Sequence, residues 1–303
     1  MSGAGGLLSA ELRRFFARRV VRGAFALGIA LTTLVLVIQT VRSAESTSSQ
    51  TVSRFVCTVP TNPTDGSTIP GGPPSNCTPQ PAIAILKHDR RLNISKHYGD
   101  TVGGVGAAMV IVAFIVGASF VGAEFGAGSL STQLIFEPRR TRVAAVKAIA
   151  VGIGFALTAL ALLLYLGVLM FAGSELRGVV TGLDATWFAA RAGDLARVAG
   201  AVALAAIAAY SITVVARRTV AAVAGLLIGQ VASGIIGSLK DWHWVAKYNP
   251  TSALFIMSIN PLRHAHDNEA QVLHLRGAIL TSCVWALGLW IIGAATFNRR
   301  EVR

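Results

Sequence analysis

Residues 121–147 read VGAEFGAGSLSTQLIFEPRRTRVAAVK. Long apolar runs lie on both sides of this stretch, so it connects two membrane spans. Its own pattern is helical: Leu130, Leu134 and Ile135 recur at helical spacing, with Ser129, Ser131, Thr132 and Gln133 between them. Glu124 opens the segment and Gly128 lets the backbone bend. Pro138 ends the local helix, because it lacks an N–H and disfavours helix for the residue before it. Arg139, Arg140, Arg142 and Lys147 follow. A short amphipathic helix framed by charge at a membrane exit suits docking on another protein. Read alone, the same residues also fit a solvated loop whose basic side chains only set topology.

Working outward, the chain of 303 residues is 53% hydrophobic and 14% charged, whereas a soluble domain is about a quarter charged. Apolar runs of about 20 residues recur, each long enough to cross about 30 Å of hydrocarbon. They are continuous rather than alternating, which excludes the pattern of a β-barrel. The expected fold is an all-α polytopic membrane protein with six transmembrane helices in a single domain over residues 1–303. The net charge of +13 would point to nucleic acid in a soluble protein. Here it is the ordinary mark of loops that fix orientation and meet anionic lipid, and no nucleic-acid partner is expected.

Residues 7–19 read as an amphipathic helix with Leu8, Leu12, Phe15 and Phe16 on one arc and Arg13, Arg14 and Arg18 on the other. Such a helix lies along a membrane surface. The first span, about 20–41, is too long for a signal-peptide core and is expected as a retained anchor. Residues 42–101 form the one large polar insert, rich in Ser, Thr, Pro and Gly. Turns and extended chain are expected over 44–81, and a more helical pattern over 82–97, with Ile83, Ile85 and Leu86. Cys57 and Cys77 flank its Pro/Gly-rich part. They pair in a disulfide if the loop faces an oxidising exterior, and otherwise stand as free thiols.

The remaining spans are expected near 101–121, 143–172, 195–216, 220–238 and 277–297. Residues 239–275 are too polar to cross. Asn249-Pro250 opens a short apolar helix over 251–259, which suits a re-entrant or interfacial segment. Basic clusters at Arg13–Arg22, Arg139–Lys147, Arg217-Arg218 and Arg299–Arg303 all fall on one side of a six-span arrangement. By the positive-inside rule that side is cytoplasmic, with both termini inside.

The run Glu124, Gly128, Leu130, Leu134, Pro138, Arg139, Arg140 and Lys147 resembles the first cytoplasmic connector of type-2 ABC transporter permeases, the membrane-spanning subunits of one class of ATP-binding-cassette exporters. The family often has Gly-Thr where this chain has Gly128-Ser129. The resemblance implies that residues 122–142 hold a coupling segment that fits a groove on a separate ATPase subunit. Glu124, Gly128, Leu130, Leu134, Pro138, Arg139 and Arg140 would then be its contacts. It also implies a cytoplasmic elbow helix over 1–19, a large extracytoplasmic loop over 42–101, and short helices over 239–275 dipping into the outer leaflet. A second permease, identical or related, would complete the translocator in the plasma membrane.

The chain has no GxxxxGK[S/T] phosphate loop, so ATP and Mg would be bound by the partner ATPase and this chain is expected to hold no cofactor. Neither GxSxG nor HExxH occurs, and no enzyme activity is expected. His264, His266, His274, Asp267 and Glu269 form the one ligand-rich stretch. His264 and His266 are two apart, which on a helix points them to different faces, so no metal site is expected. Few ionisable residues lie mid-span, which counts against a proton-coupled carrier. The expected function is export of a small lipophilic molecule, lipid or polysaccharide. The alternative is an ATP-independent membrane scaffold or sensor whose extracytoplasmic loop binds a ligand.

Overall fold

The computed structural model describes residues 4–43, 45–58, 76–89, 92–129, 133, 135, 139–239, 243–259 and 274–299, with the backbone alone over 45–58 and 76–89. Helix α1 spans Ala4–Ala17 and α2 spans Arg19–Arg42. Between them Arg18 adopts extended backbone, which breaks one continuous helical pattern into two. Strands β1 (Glu45–Thr58) and β2 (Asn76–Asp89) follow. Then come α3 (Ile94–Gly126), α4 (Arg140–Arg177), α5 (Ala185–Ala216), α6 (Thr219–Gly237), α7 (His243–Lys247), α8 (Pro250–Ile259) and α9 (Leu275–Arg299). Six of these helices, α2, α3, α4, α5, α6 and α9, are long and apolar enough to cross a membrane.

Side chains fix where several helices begin. Asn93 caps α3 by accepting a hydrogen bond from the Ser95 backbone N–H at 3.0 Å. Asp184 does the same for α5 from Trp187 N–H at 2.7 Å, so that helix starts ten residues before the expected span. Asn249 accepts from Thr251 N–H at 2.9 Å, and Pro250 takes the first helical position of α8, where its missing N–H costs nothing.

Helix α5 is the hub. Its buried stripe of Val198, Ala201, Val202, Ala205, Ala206 and Ala209 packs against α3, α4 and α9. In lipid there is no hydrophobic drive between helices, so close van der Waals packing of small residues holds them. At Gly117 of α3 an added Cβ would lie 3.3 Å from the Ala206 carbonyl oxygen, and at Gly106 one would lie 2.6 Å from a Val198 methyl. The outer helices α2, α6 and α9 present exposed Leu31, Leu34, Leu227, Ile228, Val284 and Leu287. Such a girdle of bare apolar side chains has lipid as its solvent.

The polar insert differs from expectation over 82–89, whereas 94–97 are helical as expected. Residues 82–89 belong to β2, and α3 starts only at Ile94. The two strands pair antiparallel from Glu45↔Asp89 to Thr58↔Asn76. Ile83 and Ile85 alternate along β2 opposite Thr51 and Ser49, a β-branched spacing that a pleated strand accommodates better than a helix turn. Pro79 and Pro81 are compatible because each strand of a two-stranded ribbon is an edge. Cys57 stands directly opposite Cys77 in the register; their side chains lie outside those described.

The base of this hairpin is tied to the bundle. The Ser43 hydroxyl donates to the Arg177 carbonyl at 3.1 Å and accepts from the Leu92 N–H at 2.9 Å. Val179 N–H donates to the Leu92 carbonyl at 2.9 Å. The ends of α2, α3 and α4 are thereby joined at one end of the bundle. Helix α1 and the described residues of the connector, 127–129, 133, 135 and 139, occupy the opposite end.

Candidate functional site

At the α1 end, four charged groups of alternating sign meet inside the packed helices. Lys147 in α4 is buried, as are Glu11 in α1 and Glu124 near the end of α3. The Lys147 ammonium lies 2.8 Å from Glu124 Oε2 and 3.2 Å from Glu11 Oε2. Glu124 Oε1 in turn receives the Arg18 guanidinium at 2.6 Å. Two carboxylates thus face two cations. That balance matters, because an uncompensated charge in this setting costs several kcal/mol.

Neutral donors and rings complete the site. Gln133 of the connector donates its amide N–H to Glu11 Oε1 at 2.7 Å. The partly exposed Arg14 reaches the same oxygen at 3.1 Å. Arg18 donates to the Phe120 carbonyl at 2.6 Å, and its guanidinium sits 3.8 Å from the centre of the Phe120 ring. One turn back from Arg18, Phe15 is fully buried, with ring centres at 5.1 Å from Phe155 and 5.8 Å from Phe120. Only a glycine fits beneath it: a Cβ at Gly154 would come within 2.6 Å of the Phe15 ring. Tyr210 of α5 donates to the Ala144 carbonyl at 3.1 Å, bracing the α4 turn that precedes Lys147.

The buried face of α1 therefore carries Glu11 and Phe15, with Arg18 just past the helix end, so it includes a charge rather than being the purely apolar arc that the sequence led us to expect. Leu8 and Leu12 are only half-buried, and Phe16 is 43% exposed.

The residues expected to contact an ATPase are distributed as follows. Glu124 points inward and is held by Arg18 and Lys147, so it anchors the connector instead of presenting itself outside. Gly128 has a φ of 64°, the left-handed conformation that closes α3 and turns the chain into the connector. Ser129, Gln133 and Ile135 are helical, and Ile135 is 78% exposed. Leu130, Leu134 and Pro138 lie outside the described residues. Arg139 is the exposed residue preceding α4, and Arg140 is its first residue.

The structure adds Glu11 and Gln133 as members of the site and gives Arg18 and Lys147 buried partners. One signal was available: Glu11 is the sole acid before Glu45, and it sits four residues from Phe15 on a helix otherwise charged only by arginine.

A second buried charge group lies at the hairpin end. Asp194 takes Arg191 at 2.7 Å and Arg197 at 3.1 Å. Arg197 also donates to the Ser258 carbonyl at 3.0 Å and to the Met257 carbonyl. These are terminal carbonyls of α8, which no intrahelical partner satisfies. An added Cβ at Gly103 would lie 3.2 Å from Ile259 Cα, so α3 and the end of α8 touch backbone to backbone. Helix α8 is thus locked against α3 and α5. Of the ligand-rich stretch, His274 is described and exposed, and His264, His266, Asp267 and Glu269 lie outside the described residues.

Compared with protein-family models and with curated proteins, the chain matches none.

Proposed function

We propose that this chain is the membrane-spanning permease subunit of an ATP-binding-cassette exporter, driven by a separate ATPase that binds ATP and Mg. The observation that carries the reading is the anchoring of the connector. Glu124 and Gln133, on either side of Gly128, are tied by ion pair and hydrogen bond to α1 and α4. A push on residues 129–139 from outside the bundle would be delivered to three helices at once. The bare side chain of Ile135 in that segment supplies apolar surface for a partner.

In this reading both termini and the connector are cytoplasmic, α1 is an elbow helix at the inner surface of the plasma membrane, and the hairpin is extracytoplasmic. Helix α8 is the re-entrant element between the last two spans. A second permease, identical or related, completes the path. The competing reading, an ATP-independent scaffold or sensor, draws on the hairpin, whose two strands of 14 residues each form a large polar element.

Gentle purification of the tagged chain from its own host, with mass identification of what accompanies it, tests the choice. A stoichiometric soluble ATPase, lost when Leu130 and Leu134 are both replaced by Asp, is the expected result. A chain that purifies alone and acts without nucleotide favours the sensor.

A further inference from the structure

Helix α6 has 19 residues, Thr219–Gly237, a length of about 28 Å at 1.5 Å per residue. It therefore just crosses the roughly 30 Å of hydrocarbon, with Arg217 and Arg218 at one edge. It carries no ionisable side chain, and Gln230 lies near its middle, about 16 Å along the axis from Thr219. Gln230 is nevertheless exposed, in a surface that also exposes Leu227 and Val231. Water and lipid ester carbonyls lie beyond the two ends of the span. A polar group that faces lipid at this depth has to take its partner from protein.

The neighbours of Gln230 satisfy one end of its amide. The Thr251 hydroxyl of α8 donates to Gln230 Oε1. Ser233, the next polar side chain of α6, is occupied: its hydroxyl donates to the Gln230 backbone carbonyl at 2.9 Å and accepts from Asn249 Nδ2. The Gln230 amide nitrogen, with two hydrogens to give, meets no acceptor among the described residues. One turn further on and on the same side, Gly234 is exposed, and an added Cβ there would meet nothing within 4 Å. The surface beside the amide is thus low enough for another backbone to come close.

Whatever covers this surface has to bring an acceptor to the middle of the span. Lipid tails offer none, and a charged partner would meet no counter-ion on α6. A primary amide is self-complementary: it donates through nitrogen, and its oxygen has a second lone pair beside the one that takes Thr251. A second copy of this chain holds the same amide at the same depth. A two-fold axis along α6 sets the two against each other, and each copy gives the other the acceptor it lacks. We propose that α6 forms the contact between two copies of this chain, Gln230 of each donating its amide N–H to Gln230 Oε1 of the other, with Leu227, Val231 and Gly234 packed around the pair. As the second half of a translocator this copy rests on the exporter reading and makes the second permease identical; as a contact between copies it stands apart from that reading.

The test uses the full chain alone in phosphatidylcholine vesicles. Copies tagged at the C-terminus with a donor or an acceptor fluorophore are diluted with lipid, and energy transfer gives the dimer fraction. The parent should dimerise. Gln230→Leu, with its unfolding followed as a control for the fold, should weaken the dimer about three- to thirtyfold, the range for interhelical hydrogen bonds in membranes. Gln230→Asn, which keeps an amide, should lose less. Gly234→Leu should also weaken the dimer, by holding the two helices apart at a position with open space in its own chain. A photo-crosslinking amino acid at Leu227, beside Gln230 on the helix, should capture a second copy. The same probe at Ile228, turned about 160° from Gln230, should capture lipid. A chain that stays monomeric, a dimer indifferent to Gln230→Leu, or equal capture at the two positions overturns the proposal. So does capture at Leu227, in native membranes, of a different protein in place of a second copy. No ATPase is present in the vesicles, so a monomer there leaves the exporter reading standing with a related permease as its second half. A dimer whose chain brings down no ATPase on purification removes the exporter reading alone.

Discussion

The ammonium of Lys147 lies 2.8 Å from the carboxylate of Glu124, joining the helix that enters the 127–139 connector to the helix that leaves it. The same ammonium holds Glu11, so one side chain links α1, α3 and α4. Removing it leaves Glu124 with Arg18 and the buried Glu11 with only the exposed Arg14 as cation.

Lys147→Met should therefore destabilise the protein by about 3–5 kcal/mol, the usual cost of stranding a buried charge. Adding Glu11→Gln to Lys147→Met should restore much of that loss, because Arg18 still neutralises Glu124. Unfolding of the detergent-solubilised protein, followed for the single and double variants, checks both. A single variant as stable as the parent would show that the ion pairs do not bear on the fold.

Helix α1 should come away from the bundle when its aromatic plug is cut. Phe15→Ala empties the site formed by Phe120, Phe155 and Gly154, at a cost of about 3–5 kcal/mol to docking. Limited proteolysis should then cleave residues 4–17 much faster than in the parent while α3–α5 stay protected. Unchanged cleavage would contradict the docking.

Cys57 and Cys77 are partners in the antiparallel register. Directly opposed residues have Cα atoms about 4.5 or 5.5 Å apart, and both values fall within the span a disulfide bridges. Peptide mapping without reductant should recover the two cysteines as one linked species in protein from an oxidising compartment. Closing the loop should add about 3 kcal/mol to hairpin stability in the chain-entropy picture. Recovery of both as free thiols would contradict it.

Asp184 gives the α5 start a pH dependence of known sign. The hydrogen bond from Trp187 N–H, with a second from the Thr186 hydroxyl, holds its carboxyl below the usual carboxylate range. A depressed folded pKa means that the cap contributes fully above the ordinary Asp value and is lost as pH falls through the folded one. Protection of the amides of residues 185–188, measured against intrinsic exchange at each pH, should fall on acidification through that window, and Asp184→Asn, which keeps the acceptor, should remove that dependence. Protection in the parent that ignores pH would mean the carboxylate does not cap α5.

Much of the architecture was legible because lipid makes a simple demand. Long apolar runs have to be helices, and Asn249-Pro250 marks a helix start whatever surrounds it. The strand at 82–89 was misread because Ile83, Ile85 and Leu86 are compatible with either period, and only a partner strand chooses between them. Within the site, Gly128 and Glu124 were visible in the sequence. The inward direction of Glu124 was not, since it depends on Arg18 and Lys147, which are brought beside it only by the packing of α1 and α4.

The central claim is that the connector is where a nucleotide-driven partner pushes on this chain. It is tested most directly by a photo-crosslinking amino acid at Ile135, which is 78% exposed and helical within the connector. The full chain in native membranes should give a cross-link to a soluble ATPase whose yield changes on adding ATP and Mg, while the same probe at Leu227 on the outer face of α6 gives none. A probe at Ile135 that captures only lipid, or a partner indifferent to nucleotide, would contradict the claim.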